Sequence, residues 1–260
     1  MKDPFHLLAP GGPAAVSLLA MRLSGLVLVA PLYSARTVPV PVRVAVLVVL
    51  TALLVPVAWG HLVQVPRVTP ATLIQELLVG FAIGLGAAVL VGAAEVAGDY
   101  VSIQTGLSSA GLLDPVSGAT VPTLGQFTHL FALTLFLTLN GHVLVLEALA
   151  ASTEVIPVGA ALSAEDGLGE LVRLGSELFV IGLRIAAPVI VAVLITNLAL
   201  GILSKAAPQF NVLMMAFPIQ IGIGLLVLGL TLPLVAAFVS TWPGAYESLT
   251  SRLIEALRGQ

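Results

Sequence analysis

The sequence predicts an all-α, multi-pass integral membrane protein of about six long, partly kinked helices. Of its 260 residues, 58% are hydrophobic and 9% are charged, with a mean hydropathy of +1.12. Ordinary soluble domains carry roughly 45–50% apolar and about 25% charged residues. Charge-free runs of the order that a helix needs to cross a bilayer core, about 20 residues, recur between positions 43 and 67, 76 and 95, 114 and 147, and 184 and 205. A longer one lies between 205 and 247. Prolines and glycines punctuate these runs. Helices are the economical solution, because a chain in lipid has to satisfy its own backbone donors and acceptors.

The elements follow in order. The first helix, 14–32, begins after the breaker PGGP at 10–13. Cleavage after Ala35 would put the bulky Tyr33 where a signal site needs a small residue, so this segment is expected to be retained. Val38-Pro39-Val40-Pro41 ends it, since each proline lacks an amide donor and pushes its predecessor towards extended backbone. The second helix is expected over 42–62 and the third over 71–93, opened by Thr69 as N-cap and Pro70 at the first helical position. A fourth, 124–150, ends before Pro157 and Gly159. Residues 161–177, with Glu165, Asp166, Glu170, Arg173 and Glu177, form the densest charge cluster. They read as a solvated surface segment, as the boundary between two halves, and as the lead into the fifth helix at 178–202. The sixth spans 212–240. Pro188, Pro218 and Pro233 fall inside apolar runs and are expected to kink or divide their helices unless neighbours satisfy the freed carbonyls.

Composition and motifs exclude several functions. A net charge of −3 without a basic block argues against nucleic acid as a partner. Cysteine is absent, which removes disulfides and thiolate chemistry. The sequence has no HExxH helix, no phosphate-cradling loop and no GxSxG turn, so no catalytic, cofactor or metal site is expected. Ser108 and Ser109 have no histidine near them before His129 and read as a turn. Lys and Arg leave orientation weakly specified under the positive-inside rule.

Three constellations remain. Gly80, Gly84, Ala87, Ala88 and Val91 recur at three- and four-residue spacing, giving one helix face small enough for another backbone to approach. A packing face is the favoured reading, a lined passage the alternative. Arg22, Glu76, Glu95, Asp99, His142, Glu147 and Arg184 lie beside or inside apolar runs, where charge is costly. Interfacial placement or pairing with another subunit is expected. His142 and Glu147 are off the spacing that shares a helix face, so no proton relay is read. The third is residues 106–125, GLSSAGLLDPVSGATVPTLG. Its glycines, serines and prolines have turn chemistry, and Gln104 and Gln126 bracket it. Irregular polar backbone in such a chain has to be shielded by protein or line a water-filled space. A cavity lining and an exposed loop are both compatible with composition.

Several blocks in order carry a resemblance. They are residues 22–31 (RLSGLVLVAP), 36–43 (RTVPVPVR), 75–80 (QELLVG), 104–122, 139–142 (LNGH), 197–201 (NLALG) and 206–218 (AAPQFNVLMMAFP). Over nearly its whole length the chain resembles the FliR family of the flagellar export apparatus, whose virulence counterpart is SctT. Residues 175–240 look like the two-helix FliQ subunit, and 1–160 correspond to FliP, within one export-gate domain over 1–260.

The resemblance implies a non-enzymatic inner-membrane subunit, without cofactors, through which unfolded flagellar proteins pass. Its partners would be FliP- and FliQ-type subunits, the FlhB-type switch protein and membrane lipid. The insert corresponds to a pore plug at 106–122: Gly106, Leu107, Ser108, Ser109, Leu112, Leu113, Asp114, Pro115 and Gly118. The turn with Lys205, Pro208, Gln209 and Asn211 would face the cytoplasm. The family commonly writes the plug GLSFATLFDP, whereas this chain has Ser109 and Leu113 in place of its phenylalanines and Gly111 in place of its threonine. Gln220 stands where a basic residue often follows the family's FP motif. A virulence-type gate subunit and a small-solute transporter with broken helices are the alternatives.

Overall fold

The computed structural model describes residues 11–34, 38–60, 66–109, 124–160, 164–209 and 211–258, which are helical or in turns throughout. In chain order the helices are α1 (Gly12–Val29), α2 (Pro31–Ser34), α3 (Val40–Trp59), α4 (Pro70–Thr105), α5 (Leu124–Thr138), α6 (Gly141–Val155), α7 (Ala164–Ala206), α8 (Val212–Val239) and α9 (Trp242–Arg258). A 3-10 turn, Leu107–Ser109, follows α4. Five of these helices (α1, α3, α4, α7 and α8) are long and apolar enough to cross a membrane. Helices α5 and α6 qualify only together, as one span bent by 66°. The all-α, six-span expectation therefore agrees with the structure.

Local chemistry sets the boundaries. Pro39 caps α3 in extended geometry. At the start of α4 the Thr72 amide donates to Thr69 Oγ1 at 3.1 Å, and the Thr69 amide donates to Thr72 Oγ1 at 2.9 Å. This reciprocal pair satisfies orphan amides as a capping box does. Pro70 takes the first helical position, as expected.

Several boundaries differ from the sequence expectation: the first helix, expected over 14–32, ends at Val29 before Pro31, and α2 follows over Pro31–Ser34. Helix α4 continues past 93 to Thr105, because Glu95 and Asp99 sit on partly exposed positions while Ala93, Ala94, Ala97 and Val101 bury the opposite side. The expected fourth helix is broken at Asn140, which adopts φ 59, a left-handed value that asparagine tolerates better than most residues. The charged stretch expected as a solvated lead-in is helical from Ala164. There Glu170 is largely buried, 3.7 Å from Arg173 Nη1 and 3.9 Å from Arg252 Nε. Helix α9, absent from the sequence expectation, buries Trp242, Tyr246, Leu249, Leu253, Ile254 and Leu257. Pro188, Pro218 and Pro233 lie within α7 and α8 without dividing them.

The chain divides into two units. The first comprises Met1–Val89, Leu137–Gly175 and Trp242–Gln260. Its centre is a glycine-mediated crossing of α1 and the first half of α4. A Cβ on Gly25 would collide with the Leu77 carbonyl, and one on Gly80 with the Arg22 carbonyl. One on Gly84 would lie 3.0 Å from the Leu26 carbonyl. The small-residue face is thus a packing face within the chain. Around it Leu18, Leu19, Leu23, Leu26, Ile83, Leu149 and Leu253 are fully buried. Helix α3 packs on α1 and α6, and α9 packs on α6.

Tyr246 anchors α9 to this unit by donating from its buried hydroxyl to the Ile83 carbonyl at 3.1 Å. Burial raises its pKa above the usual phenol value of 10.0. The neutral phenol is the folded form, so its stabilising contribution holds below about pH 10 and falls as pH rises further. Tyr246→Phe is expected to cost about 0.5–1.5 kcal/mol, read as a lower thermal midpoint in detergent. The loss is modest because the Ile83 carbonyl lies within α4 and keeps its helical partner.

The second unit comprises Leu90–Phe136 and Ser176–Thr241. Its core joins Ala97 and Val101 of α4, Ala186, Val189 and Val193 of α7, and Leu228 of α8. Gly182 lets α7 approach α4, since a Cβ there would lie 3.0 Å from the Ala93 carbonyl.

Candidate functional site

The second unit also holds the stem of the irregular insert. Thr105, fully buried, ends α4 with its hydroxyl donating to the Val101 carbonyl at 2.8 Å. Gly106 then takes φ 79, a left-handed turn that L side chains rarely adopt. A Cβ there would sit 2.8 Å from Phe217 Cδ1 of α8. Where the chain enters α5, the Leu124 amide donates to the buried Ser102 hydroxyl at 3.1 Å. One step further, Gly98 faces the Leu124 carbonyl and Gly125 faces Asp99, with no room for a Cβ on either glycine. Two glycines and a serine thus clamp the two ends of the insert together.

Of the plug residues expected from sequence, Gly106, Leu107, Ser108 and Ser109 fall in this turn, with Leu107 half-buried and Ser108 exposed. Leu112, Leu113, Asp114, Pro115 and Gly118 lie outside the described residues. Gln104 is half-buried and Gln126 exposed.

The ionisable residues separate into two groups. Arg22 and Glu76, expected at an interface or paired with another subunit, are instead buried against each other, with Arg22 Nε donating to Glu76 Oε2 at 2.6 Å. Arg22 Nη1 donates to Ser152 Oγ and Nη2 to the Ile156 carbonyl, both at 3.1 Å. Glu76 Oε1 accepts the Gly159 amide at 2.7 Å. Burying ions is expensive unless each is paired and hydrogen-bonded, and this cluster spends four side-chain contacts on two charges. It ties α1, α4 and the end of α6 together and both side chains are shut off from solvent, so it reads as structural.

The second group is more exposed. His129 Nδ1 lies 3.0 Å from Glu95 Oε2 without the alignment of a hydrogen bond. Asp99 is half-buried against Gly125, whereas Glu147 and Arg184 are exposed. His142 is half-buried. No group of three or more metal-ligating side chains occurs among the described residues.

The turn between α7 and α8 presents Lys205, Pro208, Gln209 and Asn211, all exposed. Lys205 sits in the last turn of α7, where a cation complements the helix dipole. Asn211 caps α8, its Oδ1 accepting the Met214 amide at 3.3 Å. Within α8, Gln220 Nε2 donates to Asn197 Oδ1 of α7. The residue that departs from the family's basic position therefore adds a hydrogen bond across the hairpin.

The profile of the bacterial export proteins, family 1, matches residues 14–242. The flagellar biosynthetic protein FliR of Escherichia coli (strain K12) is 32% identical over 219 residues, covering 84% of each chain. The chain belongs to the FliR family. FliR of Pectobacterium carotovorum subsp. carotovorum is likewise 32% identical over 84% of each chain. FliR of Aquifex aeolicus (strain VF5) is 36% identical over 64% of each chain. FliR membership makes the chain a non-enzymatic, multi-pass inner-membrane protein of the flagellar export apparatus. The bent α5–α6 pair falls at the LNGH block, and the clamp of Gly98, Ser102, Leu124 and Gly125 flanks the block from 104 to 122.

Proposed function

We propose that this chain is a subunit of a protein-conducting export gate and that its insert plugs the pore. The observation that carries this reading is the clamp: Ser102 and Leu124 are hydrogen-bonded and Gly98 meets α5 at backbone distance. A segment rich in glycine, serine and proline is thereby bracketed by apolar helices of one unit. Irregular backbone, the expectation from that composition, needs protein or water around it in lipid, and a gate supplies both. Phe217 beside Gly106 provides an aromatic ring at the plug's root.

In this reading residues 1–160 serve as a FliP-like part and 175–240 as a FliQ-like hairpin, completing a ring of P- and Q-type subunits. The exposed turn at Lys205, Pro208, Gln209 and Asn211 faces the cytoplasm and the FlhB-type protein, and unfolded flagellar proteins are the cargo. Support comes from α7 and α8, whose apolar windows are only 22% and 17% buried within the chain, against 67% for α4. Those faces suit neighbouring helices of the gate.

Deleting residues 108–118 is expected to leave the assembled gate leaky to ions, read as conductance in planar bilayers. Unchanged conductance in an intact complex rejects the plug. Failure of the wild-type chain to co-purify with two smaller membrane subunits rejects the gate assembly itself.

A further inference from the structure

A groove of about 290 Å³ runs between α7 and α8 in the second unit, lined by Arg184, Ile185 and Pro188 on one side and by Thr231, Leu234 and Phe238 on the other. Its volume is at the low end for a ligand pocket. Its walls are apolar except for Arg184 and Thr231, and the Thr231 hydroxyl is already engaged with the Leu228 carbonyl at 2.9 Å. Arg184 is exposed, and no hydrogen bond or ion pair holds its guanidinium among the described residues. The lining includes no carboxylate to neutralise it. A donor fork therefore sits at one end of a greasy slot.

The position along the helix fits a bilayer edge. Positions 185–203 carry no charge, and Lys205 follows. At 1.5 Å per residue, Arg184 and Lys205 are separated by about 30 Å, the thickness of the hydrocarbon core. An arginine at that level keeps its head among headgroups while its stem lies along apolar surface.

We propose that this groove binds an anionic phospholipid, the phosphate on Arg184 and one acyl chain along Ile185, Pro188, Leu234 and Phe238. A guanidinium matches phosphate with parallel hydrogen bonds, and the apolar walls offer nothing to a small hydrophilic anion. Charge complementarity selects the headgroup, and the slot selects a lipid over a free ion.

The test is native mass spectrometry of the full-length chain, extracted with its partners in mild detergent and titrated with phosphatidylglycerol or phosphatidylcholine of identical acyl chains. Phosphatidylglycerol is expected to bind about tenfold more tightly, roughly 1.4 kcal/mol, because phosphatidylcholine offers Arg184 the same phosphate but its choline cation offsets the attraction. Arg184→Gln should bring it to the phosphatidylcholine level, and Arg184→Lys should retain part of the preference. Leu234→Trp, which fills the slot, should weaken both lipids. Equal affinity for the two lipids in the wild type, or an unchanged preference in Arg184→Gln, overturns the proposal. So does displacement of phosphatidylglycerol by inorganic phosphate at similar concentration, which would mark a free-anion site. A partner helix seated in the groove of the purified complex overturns it as well.

Discussion

Replacing Arg22 with alanine is expected to destabilise the protein by about 3–5 kcal/mol, the cost of breaking one side of a buried ion pair. Arg22 is fully buried and supplies three donors, to Glu76, Ser152 and the Ile156 carbonyl. Alanine leaves the Glu76 carboxylate buried with only the Gly159 amide. A native protein is stable by roughly 5–15 kcal/mol, so the variant should be depleted in cells and unfold at lower denaturant when purified. Glu76→Gln should cost less, because the amide oxygen can still accept from Gly159 while the arginine loses its counter-charge. The joint change of Arg22 to methionine and Glu76 to leucine removes both ions and should recover much of the loss, as buried pairs replaced by apolar residues often do. If Arg22→Ala unfolds with an unchanged midpoint, the cluster does not hold the three elements together.

Gly80→Val should have an effect of comparable size for a different reason. A Cβ at position 80 would overlap the backbone carbonyl of Arg22, and the adjacent Gly25 likewise admits no Cβ beside Leu77. A side chain can change rotamer, but helix backbone in contact with helix backbone cannot turn aside. Overpacking costs about 1–3 kcal/mol where side chains can yield, and this site lies at or beyond the upper end. Gly201 is the matched control, because a Cβ there meets nothing within 4 Å on an exposed position of α7. Gly201→Ala should gain about 0.5–1 kcal/mol from helix propensity. Thermal midpoints of the two purified variants read the contrast, and equal midpoints would rule out a backbone crossing.

How much of this was legible beforehand depends on the range of each interaction. The start of α4 was readable because Thr69 and Pro70 act within a few residues of themselves, whereas Pro39 and Pro41 read as breakers although α3 starts at Val40 with Pro41 in its first turn. The small face of α4 was readable from spacing, although its partner on α1 was not. The Arg22–Glu76 pair spans 54 positions, and nothing local tells an arginine whether a carboxylate will meet it inside the chain or on a neighbour. Glu95 and Asp99 suggested an end to α4 because charge is a good guide to interfaces; a helix with one partly exposed face defeats that guide. Asn140 was visible only as part of a family block, and its left-handed backbone is a conformation that many asparagines never take. Helix α9 escaped because a search for unbroken apolar runs passes over a helix whose apolar residues repeat every three or four positions, from Trp242 through Tyr246, Leu249 and Leu253. Within the insert, the stem was legible as a change in composition, whereas the clamp between Ser102 and Leu124 required the fold.

That clamp has an evolutionary consequence. Because the two ends of the insert are fixed to each other by residues outside it, substitutions between them are expected to leave the packing of the second unit's helices unchanged. Doubling the length of a closed loop costs only about 0.6 kcal/mol, a small tax on a domain whose helices meet elsewhere. Relatives could exchange phenylalanine for serine, or lengthen and shorten the segment, without renegotiating how the helices pack. A grafting experiment would show this directly: an insert transplanted between Thr105 and Leu124 should leave the host's thermal midpoint nearly where it was.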